Sequence, residues 1–389
     1  FHLQLFLNNG MKNLLKSEKN VNDFLKEILD QTFALKNTLK YFQTEGFDLL
    51  VKLKKEIELR EIKYIIFTGM GSSLFCCYIP YYFLNSKGVI CDIRDTSEFL
   101  YNSLPMETER DLYISFQSVL IFCVSQSGES GELIKLLKKL RNYKDPPLIV
   151  GLTNQPESTL FKFSDICFLM KAGYENGPTS KTYTCSILAL YLCLNYLFND
   201  KHSIKSEIHE IESLFEEIIF FHKIFYEASN EIDKIISFLG RDVKFLEFIA
   251  RGPSIATANQ AALNFKEIVK EKSEALSVGL FRHGCIEMLN EDFKVVVLSS
   301  NLTDFELNSQ LIKNLLAKWS VGKILHITNQ NFLRYENKRL YIFKHQVINP
   351  YIVPIMEIVI LQLIFYKLAI IKGLDPGKFK YTTKITKEG

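Results

Sequence analysis

The chain has 389 residues, 47% of them hydrophobic, and a formal net charge of +3. That length holds two domains or one large unit with repeated halves, and the apolar content suffices for a sizeable core. The small, dispersed charge argues against nucleic acid as the main partner. The eight cysteines form no Cys-x-x-Cys pair and the seven histidines no metal-type spacing, so buried free thiols are expected and neither a disulfide framework nor a metal centre is.

Residues 1–10 are apolar but lack the basic start and small-residue cleavage site of a signal peptide. Met11 reads as a natural start, with the first ten residues an upstream extension or the end of something longer. Residues 20–60 interleave polar and apolar positions without proline and predict helix. Tyr64 to Thr68 then predicts a strand, followed by Gly69-Met70-Gly71-Ser72-Ser73 and a helix from Ser72 onward. Val119 to Val124 predicts a buried strand that runs into Ser125-Gln126-Ser127-Gly128-Glu129-Ser130. The helix expected over Gly131 to Tyr143 places Leu133, Leu136, Leu137 and Leu140 on one face. Strands follow at Leu148 to Thr153 and Ile166 to Met170. A hydroxyl-rich turn, Pro178 to Thr184, precedes an apolar helix at Ser186 to Phe198.

A polar helical stretch from His202 to Leu239 leads to a second half in the same order. Phe245 to Ala250 enters Arg251-Gly252-Pro253-Ser254, and a helix begun near Thr257 ends in Asn264-Phe265-Lys266-Glu267-Ile268. The charges crowded into 266–274 read as a solvated face. Lys294 to Leu298 enters Ser299-Ser300-Asn301, and Ile324 to Gln330 ends in the same Thr-Asn-Gln as Thr153-Asn154-Gln155. An offset of about 180 residues between matching segments marks a diverged tandem duplication. The apolar run Ile355 to Ile371 carries Glu357, Gln362 and Lys367 and is short for a bilayer span, so no membrane helix is expected. The fold class is therefore α/β, with two tandem doubly wound parallel-sheet lobes and an N-terminal helical segment. The expected boundaries are 1–45 for the N-terminal extension and helix, 46–200 for the first lobe, 201–239 for a helical connector, and 240–389 for the second lobe with its tail.

The Ser125–Ser130 loop lies between a buried strand and a helix start, where unpaired N–H groups and the helix dipole attract anions. Gly128 permits the turn, and the hydroxyls of Ser125, Ser127 and Ser130 suit a phosphate dianion without Arg or Lys. The plainer alternative is one serine capping a helix. The Gly71-Ser72-Ser73 turn and the Thr179-Ser180 turn converge with it if the loops gather at the carboxyl ends of parallel strands. In the second half Glu267 and His283, the latter in a glycine-flanked loop, are acid–base candidates.

Together these motifs resemble the SIS (sugar isomerase) family, whose lobes are flavodoxin-like. They are most similar to the paired SIS domains forming the isomerase half of glucosamine-6-phosphate synthase. The residues that carry the resemblance are Gly71-Ser72-Ser73, Ser97-Glu98-Phe99, Ser125 to Ser130, Ala172-Gly173 with Glu175, Ser180-Lys181, Lys266-Glu267-Ile268, Glu274, His283-Gly284, and Leu361-Gln362-Leu363 through Lys372-Gly373. The resemblance covers nearly everything from residue 25 to the C-terminus, with these motifs in the same order and spacing.

The resemblance implies that Gly71, Ser72, Ser73, Ser125, Gln126, Ser127 and Ser130 hold a sugar phosphate, with Glu175, Thr179 and Ser180 nearby. It implies that Glu267 is the base moving a proton between C1 and C2, and that His283 opens the sugar ring, usually from a neighbouring subunit of a homodimer. Neither cofactor nor metal is implied, and the setting is cytoplasmic. Two departures stand out. Leu280 and Cys285 replace a Glu and a Pro of the synthase pattern around His283. Thr383 falls where the synthase has its Schiff-base lysine, with Lys384 one residue on as a candidate sugar contact. No amidotransferase domain precedes the lobes, so glutamine-dependent synthesis is not expected of this chain alone. Amino-sugar phosphate deaminases, isomerases and fructosamine-6-phosphate deglycases are the relatives this pattern suggests, and a phosphosugar-binding regulatory module is the alternative.

Overall fold

The computed structural model describes residues 22–104, 115–199, 204–227, 230–330 and 337–381. Helices α1 (Asp23–Leu29), α2 (Gln31–Gln43) and α3 (Glu45–Leu59) lead into β1 (Tyr64–Gly69). Short helices α4 (Ser72–Phe75) and α5 (Tyr78–Ser86) connect to β2 (Cys91–Asp95), which α6 (Thr96–Glu98) ends. Then come β3 (Val119–Val124), α7 (Gly131–Asn142), β4 (Leu148–Thr153), α8 (Thr159–Phe163), β5 (Ile166–Leu169) and the long α9 (Lys181–Phe198). Every residue of β3 and β4 is buried, as expected of VLIFCV and LIVGLT in the middle of a covered parallel sheet. Helices α10 (Ile204–Ile224) and α11 (Glu231–Leu239) lead to the second half.

There, β6 (Phe245–Ala250), α12 (Ile255–Ile268), β7 (Lys272–Ser277), α13 (Val278–Arg282), β8 (Lys294–Leu298), α14 (Leu302–Ala317), β9 (Lys323–Thr328), β10 (Leu340–Lys344) and α15 (Val353–Ile371) follow. The sheet orders are β2-β1-β3-β4-β5 and β10-β9-β8-β6-β7, all parallel. Read in chain order, the second is the first repeated, which agrees with the expected duplication. In each sheet the chain reverses its direction of winding between adjacent strands, β1 and β3 or β6 and β8. In open sheets of this kind the ligand crevice lies outside the carboxyl ends of such a pair.

The two sheets share one core. It runs without a break from Phe67 and Phe122 through α9 to Phe248, Val296 and α15. Smaller clusters cover the outer faces, around Ile121 and Leu136 in the first sheet and Val297 and Leu315 in the second. The expected connector is part of this core: Ile211, Leu214 and Ile218 of α10 and Ile235 of α11 are buried in it.

Helix α15 is the one helix among the described residues long and apolar enough to cross a membrane, and 78% of its most apolar window is buried inside the fold. Its polar residues are accounted for within the fold. Glu357 and Gln362 are fully buried and hydrogen-bonded, and Lys367 pairs with Asp233. A helix apolar all round and buried all round is a core helix.

Candidate functional site

The loop after β1 closes tightly. A side chain at Gly69 would meet the Ser73 backbone at 2.7 Å, and Gly71 has a positive φ of 53°. A Cβ at Gly71 would lie 3.7 Å from Leu263 of α12, so this loop rests on a helix of the second half. Ser72 and Ser73 open α4 with partly accessible side chains.

The loop after β3 prolongs the strand by one rung, since the Ser125 N–H donates to the Leu152 carbonyl at 3.0 Å. It then folds on its own hydroxyls. Ser125 Oγ accepts from the Gly128 N–H at 3.0 Å, and Ser127 Oγ accepts from the Glu129 N–H at 3.2 Å. A hydroxyl that accepts keeps its proton to donate, so both serines remain donors toward an anion. The Gln126 carbonyl is held by the Asn154 N–H at 3.0 Å and the Thr153 hydroxyl at 3.2 Å. Glu129, the one charge in the loop, is turned onto Thr159, which donates through both its N–H and its hydroxyl. Ser130 occupies the N-cap of α7, yet its side chain makes no capping bond. The capping alternative therefore does not describe Ser130, while the first N–H groups of a twelve-residue helix lie beside its hydroxyl.

In the third turn the Glu175 carboxylate is 4% exposed and faces inward. Its Oε1 accepts from the Ser180 N–H and hydroxyl, both at 3.0 Å, and from the Thr182 N–H at 3.1 Å; its Oε2 accepts from the Thr182 hydroxyl at 2.6 Å. It thus works as a clamp on the start of α9. The Thr179 carbonyl accepts from Asn264 Nδ2 at 3.2 Å and from Gln362 Nε2 at 3.5 Å. Gln362 in turn bonds Asn264 at 3.4 Å and Gln31 at 3.0 Å. One buried polar chain thereby ties the third turn to α12, α15 and α2.

Glu267 sits at the end of α12, partly buried, with Oε2 accepting from Asn264 Nδ2 at 3.4 Å. Its backbone carbonyl accepts from Lys270, whose Nζ also reaches the Lys378 carbonyl at 2.9 Å. Helix α12 therefore touches the first hydroxyl-rich loop through Leu263, holds the third through Asn264, and carries Glu267 one turn further on. His283 is exposed, at the turn ending α13. That turn lies beyond β7, an outer strand of the second sheet. Lys384 lies outside the described residues. Among the described residues no cluster of His, Cys, Asp or Glu is arranged to hold a metal.

Residues 58–196 match the SIS domain family. That match is confined to one span of the chain. It takes in β1 to β5 and nearly all of α9, and hence all three hydroxyl-rich turns. Over 374 residues the chain is 27% identical to glutamine–fructose-6-phosphate aminotransferase [isomerizing] of Wigglesworthia glossinidia brevipalpis, covering 93% of this chain and 58% of that protein. The chain thus spans little more than half the length of this relative. The C-terminal domain of glucosamine-fructose-6-phosphate aminotransferase from Francisella tularensis superposes with a TM-score of 0.78 at 23% identity, covering 93% of this chain and 99% of that one. Glucosamine-6-phosphate deaminase from Thermotoga maritima superposes with a TM-score of 0.65 at 20% identity, covering 94% and 99%. These two likenesses show a common fold, with both lobes included.

Reading the sequence missed Glu357, a fully buried carboxylate at the carboxyl ends of the second sheet. Its signal was an acid in the middle of an apolar run, noted there only as an argument against a membrane span.

Proposed function

We propose that the first lobe binds a phosphorylated sugar and that Glu267 moves a proton between its C1 and C2. The enzyme would then isomerise, deaminate or deglycate an amino-sugar 6-phosphate or a related phosphosugar. The observation that carries this reading is α12, which contacts two of the three hydroxyl-rich turns and presents Glu267 beside them. Ser73, Ser125, Ser127 and Ser130, with the N-terminus of α7, grip the phosphate and supply binding energy remote from the reacting carbons. A carboxylate held on one face of the sugar suits an aldose–ketose shift through a cis-enediol. The relatives named above carry an aminotransferase name on fructose 6-phosphate and a deaminase name on glucosamine 6-phosphate, which supports this choice of substrate class. His283, exposed on one chain, would act on the ring oxygen of a sugar held by a second copy. Lys384 is a candidate sugar contact; within the described residues the tail is tied near Glu267 by the Lys378 carbonyl, which accepts from Lys270. The eight free thiols, seven of them buried, suit a reducing cytoplasm.

A thermal-shift screen with hexose 6-phosphates, amino-sugar 6-phosphates and fructosamine 6-phosphates identifies the ligand, because a molecule that binds only the folded state raises its melting temperature. With that ligand, Glu267→Gln keeps the shift and loses turnover by about 10²–10⁴-fold, the usual yield of general acid–base catalysis. Turnover equal to wild type overturns the role of Glu267. Saturable binding with no conversion of any candidate by the wild type points instead to a binding module.

A further inference from the structure

The second lobe has its own crevice, and the crevice is filled from within. Two residues beyond β1 the chain turns through Gly71 with φ 53°; two residues beyond β6 it turns through Gly252 with φ 55°. Counting two further residues from each glycine reaches Ser73 in the first lobe and Ser254 in the second. Across the reversal, Ser299 donates its N–H to the Ile327 carbonyl just as Ser125 donates to Leu152, so Ser300 follows where Gln126 does. In the second lobe these loops converge on the Glu357 carboxylate. Oε1 accepts from Ser254 at 3.0 Å and from Ser300 at 3.1 Å, and Oε2 accepts from Thr257 at 2.8 Å. Ser300 is also 3.0 Å from His345 Nε2, and the buried Nδ1 of that ring has no hydrogen-bond partner among the described residues.

We propose that Glu357 is a built-in carboxyl occupant of the second lobe's crevice, seated among hydroxyls on loops that correspond in place to those of the first lobe, so that the second lobe cannot take a phosphate. The helix that follows the sheet decides which lobe stays open. In the second lobe that helix is α15, which places Glu357 in the crevice. In the first it is α9, whose sequence KTYTCSILALYLCLNYLF has no acid to do the same. A carboxylate offers two oxygens to hydroxyl donors in much the way a phosphate does. Burial raises the Glu357 carboxyl to about 7, against the opposing pull of the Thr257, Ser254 and Ser300 hydroxyls.

The test is to empty the crevice and offer inorganic phosphate. Glu357→Ala removes the occupant, whereas Glu357→Gln keeps the space filled and one oxygen as acceptor. In calorimetric titration with inorganic phosphate, Glu357→Ala should bind one more ion per chain than wild type, and Glu357→Gln no more than wild type. The melting temperature of Glu357→Ala should rise in phosphate relative to chloride of equal ionic strength by more than that of wild type. The count is read as a difference, so it holds whether or not the first lobe binds phosphate: failure there lowers every count alike. If Glu357→Ala does not purify folded, its refolding yield in phosphate against chloride reads the same site, and a yield that phosphate raises supports it. An unchanged count, an equal gain in Glu357→Gln, or refolding that phosphate does not improve overturns the proposal.

Discussion

At the scale of single residues, the first-lobe loop depends on Gly128 more than on any other glycine of the site. Its φ of 65° is strained for a side chain, and a Cβ there would stand 2.3 Å from Ser158 Oγ and 3.1 Å from Thr153 Oγ1. Thr153 and Ser158 both help anchor this loop or the turn beneath it, so the clash would shift Ser125 and Ser127 together. Gly128→Ala should cost about 1–3 kcal/mol in urea unfolding and weaken phosphosugar binding as well. Gly71→Ala has a similar φ but room for the methyl, so it should lose less stability. Equal losses for the two variants would show that steric contact with Ser158 is not what matters. The loop was legible in the sequence because its chemistry is local: hydroxyls bond backbone N–H groups two or three residues on. The inward role of Glu175 was not legible. A carboxylate near a serine-rich turn reads equally well as a ligand contact, and only the bonds to Ser180 and Thr182 assign its oxygens.

At the scale of elements, β2, β7 and β10 escaped the sequence reading, and all three are edges of their sheets. An edge strand is covered less completely and tolerates charge, so CDIRD and KSEALS lack the apolar runs that announce β3 and β8. The charges at 266–274 are exposed or partly exposed, as a solvated face requires, but they spread over the end of α12, the turn after it and the start of β7. The pairing of β6 with β7 sets Glu247 opposite Glu274. Glu247 is fully buried with neither oxygen hydrogen-bonded among the described residues, and burial, then the charge of Glu274, push its carboxyl up to about 8. The folded state thus keeps a proton that the unfolded chain releases near its ordinary value of 4.5, and stability should fall as pH rises from about 4.5 to about 8. Glu247→Leu should flatten that slope and raise the pH 8 stability by on the order of 1–3 kcal/mol. The measurement is urea unfolding across this pH range, and a slope unchanged in the variant would contradict a buried neutral Glu247.

At the scale of the whole molecule, the two lobes are joined through a continuous core rather than a linker, and the proposed site draws on both. If His283 serves a second copy, two inactive variants should repair each other. Mixed and re-equilibrated Glu267→Gln and His283→Ala chains should recover about a quarter of the wild-type sites, those pairing an intact Glu267 from one chain with an intact His283 from the other in a two-fold dimer. Activity that stays at the level of the separate variants places His283 and Glu267 on the same chain or removes His283 from the chemistry.

The sequence by itself determined the α/β class, the duplication, the strands at the middle of both sheets and the hydroxyl-rich turns. These rest on short-range periodicity and on turn chemistry within a few residues. Only the tertiary structure decided which distant residues meet. Gln31 bonds Gln362, Asn264 bonds Thr179, and Glu357 fills the second crevice from a helix about a hundred residues beyond Ser254 and Thr257. A bond across such a separation leaves no repeat along the chain. It becomes visible only when burial forces each polar group to find a partner, because an unpaired one would cost about as much as a lost hydrogen bond.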